Sequence, residues 1–187
     1  ADLRGARFSY TKLTRVDLSG VDLSGVNLLG IDLSGADLSG ADLSGAILNY
    51  ADLTGVDFSE AVLSEANLLG IDLIGENLSG VDFSEANLSY ASLEKANLSG
   101  ANLSFADLSA AKLNEANLSG ANLNGAKLIF ADLSGSTLCN TETPWGRDDS
   151  GCNKYDEELE DISTNALKLK ALHSCESCNL EGANLRD

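Results

Sequence analysis

Apolar and polar positions recur along this chain with a period of five. Every fifth residue from Leu3 to Leu138 is leucine or phenylalanine, twenty-eight times in succession. That period fits neither the 3.6 of an α-helix nor the 2.0 of a β-strand, so neither element can run for long. It predicts short extended stretches, each ended by a corner, with the same pentad position turned inward at every step. The five slots take their names from their commonest occupants: Ala, Asp, Leu, Ser and Gly. The Ala slot holds Ala, Val or Ile except at Thr11, Glu76 and Ser136, and the Leu slot admits only Leu, or Phe at 8, 58 and 83. The Asp slot is mostly Asp or Asn and tolerates Arg7, Lys12, Lys112 and Lys127, so it faces water. One large and one small apolar side chain per pentad therefore point into a core.

The Ser-Gly pair supplies the corner. A type II turn needs positive φ at its second central residue, which glycine provides without steric cost. Glycine fills that slot in fifteen of the twenty-eight pentads. Glu60, Glu65, Glu85, Tyr90 and Lys95 resist positive φ, which predicts a different turn at those corners. A longer period sets the size of a coil. Residues 27–33 recur identically at 67–73, and Tyr10, Tyr50, Tyr90 and Phe130 follow one another at intervals of forty. Forty residues are eight pentads, which suits two turns of a four-sided coil.

Runs such as Ala36-Asp37-Leu38-Ser39-Gly40-Ala41-Asp42-Leu43-Ser44-Gly45 resemble the pentapeptide-repeat proteins, whose motif is A(D/N)LXX. The resemblance covers about three quarters of the chain, residues 1–140. It implies an all-β solenoid, a right-handed quadrilateral β-helix with four pentads per coil and therefore about seven coils. Stacking one coil on the next would build continuous leucine ladders that no single coil could bury. Four Leu and four Ala per layer would fill the cross-section, so an internal active site is not expected.

Residues 141–187 break the period and form the second region, a loop, a capping helix and a partial final repeat. Thr141–Gly151 contains the chain's single Pro and single Trp and reads as a loop. Leu159, Ile162, Ala166, Leu169 and Leu172 fall at helical spacing between Tyr155 and His173, with acids early and Lys168 and Lys170 late. Solenoid ends expose strand edges and raw core, so this helix is expected to cap the last coil. Residues 179–185 resume the repeat. The four cysteines, Cys139, Cys152, Cys175 and Cys178, all lie at or beyond the end of the repeats. Cys139 with Cys152 closes the Pro/Trp/Gly loop and leaves Cys175 with Cys178, although four cysteines allow three pairings. A zinc site would need a second close pair, and a redox Cys-x-x-Cys would need a βαβ setting. Disulfides here would indicate an oxidising compartment.

Charge changes the picture of the surface. The net charge is −17, yet residues 1–20 carry Arg4, Arg7, Lys12 and Arg15 against Asp2 and Asp17. Residues 21–60 hold seven acids and no base, and residues 61–100 add six acids and one base. At about 4.8 Å per coil these four coils carry about one net negative charge per 1.6 Å, close to the roughly 1.7 Å of duplex DNA. No basic face suits direct nucleic-acid binding. No run of eighteen apolar residues predicts a membrane span.

Three departures from the repeat are candidates for function. Glu76 places a carboxylate in an inward slot, where it must hydrogen-bond to corner backbone, reach solvent, or mark a strained or ion-binding site. Replacing it with Ala is expected to raise thermal stability. The Asp ladders (Asp17, Asp37, Asp57; Asp32, Asp52, Asp72; Asp2, Asp22, Asp42) stack carboxylates in register, where they either invite Ca²⁺ or accept backbone N–H groups at turns. Tyr10, Tyr50, Tyr90 and Phe130 line one corner, either as a stripe for a partner or as rings laid over neighbouring small residues. The chain's single histidine, His173, falls on the predicted cap helix, so no catalytic pair is proposed, and no cofactor or metal is expected.

The near-uniform pentads and cysteine-bearing cap resemble cyanobacterial and thylakoid-lumen members of the family. That likeness implies a lumenal or periplasmic rod, with cytoplasm the alternative. It is expected to be a monomer, with an end-to-end dimer open, acting as a non-enzymatic structural or protein-interaction scaffold. A second expectation follows from other family members, which mimic DNA and modulate gyrase. The acidic belt favours it; the basic first coil and the cysteines oppose it, and a metal-binding or redox-linked lumenal protein is a minor alternative.

Overall fold

The computed structural model describes residues 3, 6, 8–149 and 152. Over these the five-residue period becomes a β-solenoid. Its isolated bridges are all parallel and join residues twenty positions apart, from Lys12↔Asp32 to Asn122↔Glu142. Twenty residues are four pentads, so each coil has four short faces and four corners. On the closed faces the Leu-slot N–H donates to the next coil and the Asp-slot N–H to the previous one, as in Leu33 to Asp52 C=O (2.9 Å) and Asp52 to Ile31 C=O (2.8 Å). Successive residues of an extended stretch point to opposite sides, so the Ala and Leu flanking each Asp both turn inward.

The core is a stack of such layers. Leu33, Leu38, Leu43 and Leu48 are fully buried within one coil, with Ala36, Ala41 and Ala46 between them. Each buried leucine contributes about 1.5–3 kcal/mol of transfer free energy. The first coil is an exception to the filled cross-section that the repeat predicts. Leu3, Phe8, Leu13, Val16 and Leu18, with Leu23, Leu28, Ile31 and Leu33 of the next coil, line an apolar hollow of about 240 Å³. Among the described residues no helix is long and apolar enough to cross a membrane.

The corners correct one expectation. Every fifth residue from Tyr10 to Asn140 has positive φ, between +56° and +70°, whether it is glycine or not. Glu60, Glu65, Glu85, Tyr90 and Lys95, at +59° to +60°, keep the glycine conformation instead of adopting another turn. The turn bond is retained as well, for instance Ala91 N–H to Leu88 C=O at 3.1 Å. A non-glycine residue pays about 1–2 kcal/mol in this region. At Glu65, Glu85, Tyr90 and Lys95 the stacked neighbours enforce it, because the corner N–H also bonds to the next coil, as in Glu65 to Ser84 C=O (2.8 Å) and Tyr90 to Ser109 C=O (2.9 Å); Glu60 keeps the conformation without that bond. Any other turn would forfeit that bond and shift the register of the face that follows.

Between the bridges Lys12↔Asp32 and Asn122↔Glu142 the ladder opens at one place. Bridges Asp52↔Asp72 and Asp57↔Asn77 are absent from an otherwise regular series. Tyr50, Leu53, Phe58 and Glu60 make no backbone bond to the next coil there, and Asp72 and Asn77 make none to the previous one. The opening runs around about half a coil, from the Tyr50 corner to the Glu60 corner. The faces on either side stay closed, through Leu48 N–H to Asn67 C=O (2.9 Å) and Leu63 N–H to Asp82 C=O (2.7 Å).

The ladder also outlasts the sequence period. Glu142 bridges Asn122, and strand β1 (Thr141–Thr143) pairs antiparallel with β2 (Gly146–Asp148). The stretch that reads as a loop is thus a hairpin turning at Pro144-Trp145. Thr141 and Thr143 replace the inward Ala and Leu and are buried. Their hydroxyls are satisfied by Leu118 C=O (2.7 Å) and Gly146 C=O respectively, which makes polar burial tolerable. Trp145 packs on the core beside them. The helix predicted over 155–173, the partial repeat at 179–185, His173, Cys175 and Cys178 lie outside the described residues.

Candidate interaction surface

The Asp ladders are built from turns. Asp17, Asp22, Asp32, Asp42 and Asp57 each accept through Oδ1 both the backbone N–H and the hydroxyl of the serine two residues on, at 2.6–3.1 Å. The Ser19, Ser34 and Ser59 hydroxyls, helped by the backbone N–H groups, hold Asp17, Asp32 and Asp57 below the usual carboxylate range. At Asp107 burial pushes upward but is outweighed by Ser109 and the Lys127 charge, so its pKa is also lowered. Of the alternatives for these carboxylates, the structure shows the turn role.

Two further regularities were accessible at twenty-residue spacing but not anticipated. Asn117 Nδ2 donates to Asn97 Oδ1 (3.2 Å) and Asn97 Nδ2 to Asn77 Oδ1 (2.9 Å), an amide ladder up one face. A second ladder runs Asn122 to Asn102 to Asp82. Amides in register donate to one another where carboxylates would repel, so the later coils are laced by side chains as well as backbone. Lysines in outward slots meet acids one coil away: Lys12 with Asp32 (4.0 Å), Lys127 with Asp107 (3.5 Å) and Lys95 with Glu115 (3.6 Å).

The aromatic corner is exposed. Tyr10, Tyr50, Tyr90 and Phe130 stand two coils apart along one edge, about 10 Å from each other, with 72%, 83%, 68% and 65% of their surface accessible. Both readings of this corner have a physical basis here. Tyr10 does lie over the next coil, since a Cβ on Gly30 would come within 2.5 Å of its ring. Tyr50 does not, for Gly70 has nothing within 4 Å of that position. Leu69 and Ile74, large aliphatics in slots usually held by serine, are exposed beside the opened step. Phe105, on a neighbouring corner and laid over Gly125, escaped the sequence reading because the forty-residue series does not include it.

Glu76 lies at the opening. Its Oε1 accepts the Gly55 N–H at 3.0 Å, a donor that would otherwise serve the next coil. Of the expectations for this residue, the structure matches a carboxylate hydrogen-bonded to corner backbone. Cys139 and Cys152 lie at disulfide distance, Sγ–Sγ 2.09 Å, and tie the hairpin to the last pentad.

A family model for pentapeptide repeats matches residues 1–40, 36–73, 61–100, 77–114 and 101–140, in eight copies. Among solved structures, HetL, a pentapeptide repeat protein involved in heterocyst differentiation regulation in the cyanobacterium Nostoc sp. strain PCC 7120, is 35% identical. The match covers 78% of this chain and 75% of HetL at a TM-score of 0.59. A trypsin-treated variant of QnrB1, a plasmid-mediated fluoroquinolone resistance protein, is 25% identical over 89% of this chain and 90% of its own, at 0.58. A pentapeptide repeat protein from the thylakoid lumen of Arabidopsis thaliana is 31% identical over 57% of this chain and 68% of its own, but superposes at only 0.24. No curated protein matches the chain significantly. The repeat-by-repeat match, the parallel twenty-residue register and the likeness to HetL lead to one conclusion: this chain belongs to the pentapeptide repeat family.

Proposed function

We propose that this protein is a non-catalytic interaction rod of about seven right-handed coils over residues 1–140, ended by the hairpin and a helical cap. It would engage a protein partner along the Tyr10/Tyr50/Tyr90/Phe130 corner. The observation that carries this reading is the exposure of those four rings in one regularly spaced column, on a surface made mainly of polar and charged side chains. Exposed aromatics at fixed spacing on a stiff scaffold suit a protein interface, where Tyr and Trp are enriched among anchoring residues. The aspartate carboxylates of the repeat, by contrast, are engaged in holding turns. The Cys139–Cys152 pair at disulfide distance supports a thylakoid lumen or periplasm, where such pairs persist.

The double variant Tyr50→Asn, Tyr90→Asn tests the corner. Asparagine tolerates the left-handed region, so the turns should survive. In an affinity pull-down from source lysate, any partner held by the wild type is expected to bind about 30-fold more weakly or more, the loss typical of removing anchoring aromatics. Equal capture by both proteins would remove the corner from the interface.

A second reading is modulation of gyrase by DNA mimicry. The acidic belt of residues 21–100 favours it, and QnrB1 is a fluoroquinolone resistance protein. A supercoiling assay decides it: mimicry requires that micromolar protein alter gyrase activity, and an unchanged topoisomer distribution would exclude it.

A further inference from the structure

The lapse in the ladder and the misfit of Glu76 coincide, and a single cause accounts for both. Glu76 belongs to an inward column whose neighbours one coil away are Val56 and Ala96, both buried. A carboxylate in that column would be dehydrated unless something bonds to it, which costs several kcal/mol. Its Oε1 instead reaches the corner and takes the Gly55 N–H. In a closed ladder that donor would meet Ile74 C=O, as the Gly35 N–H meets Thr54 C=O and the Gly75 N–H meets Glu94 C=O one coil to either side. The two coils therefore cannot close at this corner while the side chain sits between them.

The consequences spread symmetrically from Gly55. The unpaired donors Tyr50 and Leu53 lie before it, and Phe58 and Glu60 after it. Ala51 and Val56 are less completely buried than their counterparts in neighbouring coils, Ile71 and Ala36 among them. Tyr50 has lost its seat on Gly70. At the far edge, Asp82 N–H to Ala61 C=O is stretched to 3.4 Å, and the ladder then resumes at its usual length. The opposite faces stay paired, so the opened half faces a closed half that can act as its pivot.

We infer that Glu76 is a wedge that builds a bending joint into an otherwise stiff solenoid. The coils before residue 50 and those after residue 79 are two regular stacks. The half-coil between them is held open by one side chain and hinged on the faces of residues 46–48 and 61–63.

Native-state hydrogen exchange on the full chain tests this, comparing wild type with Glu76→Ala and Glu76→Val. Both replacements restore a residue type common in the inward slot, and using two guards against a packing fault in either. In the wild type the Leu53, Phe58, Asp72 and Asn77 amides are expected to exchange at least about 100-fold faster than Leu33, Leu38, Leu73 and Leu78, because exchange follows local opening. In the variants that difference is expected to fall below about 10-fold, as Gly55 regains its partner and the half-coil zips. Equal protection of the two sets in the wild type would overturn the joint. Fast exchange that persists in both variants would overturn Glu76 as its cause.

Discussion

Leu88→Ala is expected to lower the unfolding free energy by about 2–5 kcal/mol, the range for truncating a buried leucine in a packed core. Leu88 is fully buried in the column that Leu68 and Leu108 continue one coil either way. Its nearest inward neighbours along the chain are Ala86 and Ala91, which have no spare side-chain atoms to move into the space. The backbone cannot collapse either, since Leu88 N–H and the corner N–H of Tyr90 are fixed to the next coil at 2.8 and 2.9 Å. The cost should therefore include the cavity as well as the lost transfer free energy. Urea unfolding of wild type and variant gives the number directly. A loss below about 1 kcal/mol would mean that the layer can relax around a missing side chain, contrary to a close-packed ladder.

The second large effect is expected from Cys139→Ser. Cys139 and Cys152 are thirteen residues apart in the chain, and in the chain-entropy view closing such a loop stabilises by about 3 kcal/mol. What the link retains is the end of the core. The hairpin Thr141–Asp148 carries buried Thr141 and Thr143 and sets Trp145 on the last layer. Loss of the link should expose that layer first, with Trp145 fluorescence shifting to the red ahead of the main unfolding transition. Reduced wild type should behave like the variant. If oxidised wild type, reduced wild type and Cys139→Ser all melt together, the pair contributes nothing to holding the cap. A thiol count on the unreduced protein that finds all four cysteines free would remove the oxidising-compartment argument.

Much of the fold was legible in the residues, because a five-residue period with an invariant large apolar slot has very few structural solutions. The forty-residue recurrence of Tyr10, Tyr50 and Tyr90 pointed to a coil of four pentads, and the parallel bridges have that spacing. The parts that were not legible share a physical reason: local preference loses to stacking. Glu65 and Lys95 dislike positive φ as single residues, but their corner N–H groups bond to Ser84 and Asn114 of the next coil, and the stack outweighs one strained backbone. Thr141 and Thr143 look too polar for a core, and only the carbonyls that receive their hydroxyls make the burial intelligible. Glu76 stood out as an anomaly in one slot. That it parts two coils over half their circumference depends on which donor its carboxylate reaches, and that donor lies twenty-one residues away. The site residues divide accordingly. The aromatic corner was visible as a series, whereas the difference between a seated Tyr10 and an unseated Tyr50 arises from the opening.

The twenty-residue register has a consequence for how such a chain can change over generations. Deleting or duplicating one full set of four pentads would leave every surviving residue above the same kind of partner as before, merely shortening or lengthening the stack by about 4.8 Å. A one-residue insertion, by contrast, would rotate all later side chains out of their columns. Length is therefore the property this architecture can vary most freely, in fixed increments, while the side-chain chemistry of each edge stays aligned. The protein is in that sense a graduated ruler, and the spacing of Tyr10, Tyr50, Tyr90 and Phe130 marks every second division.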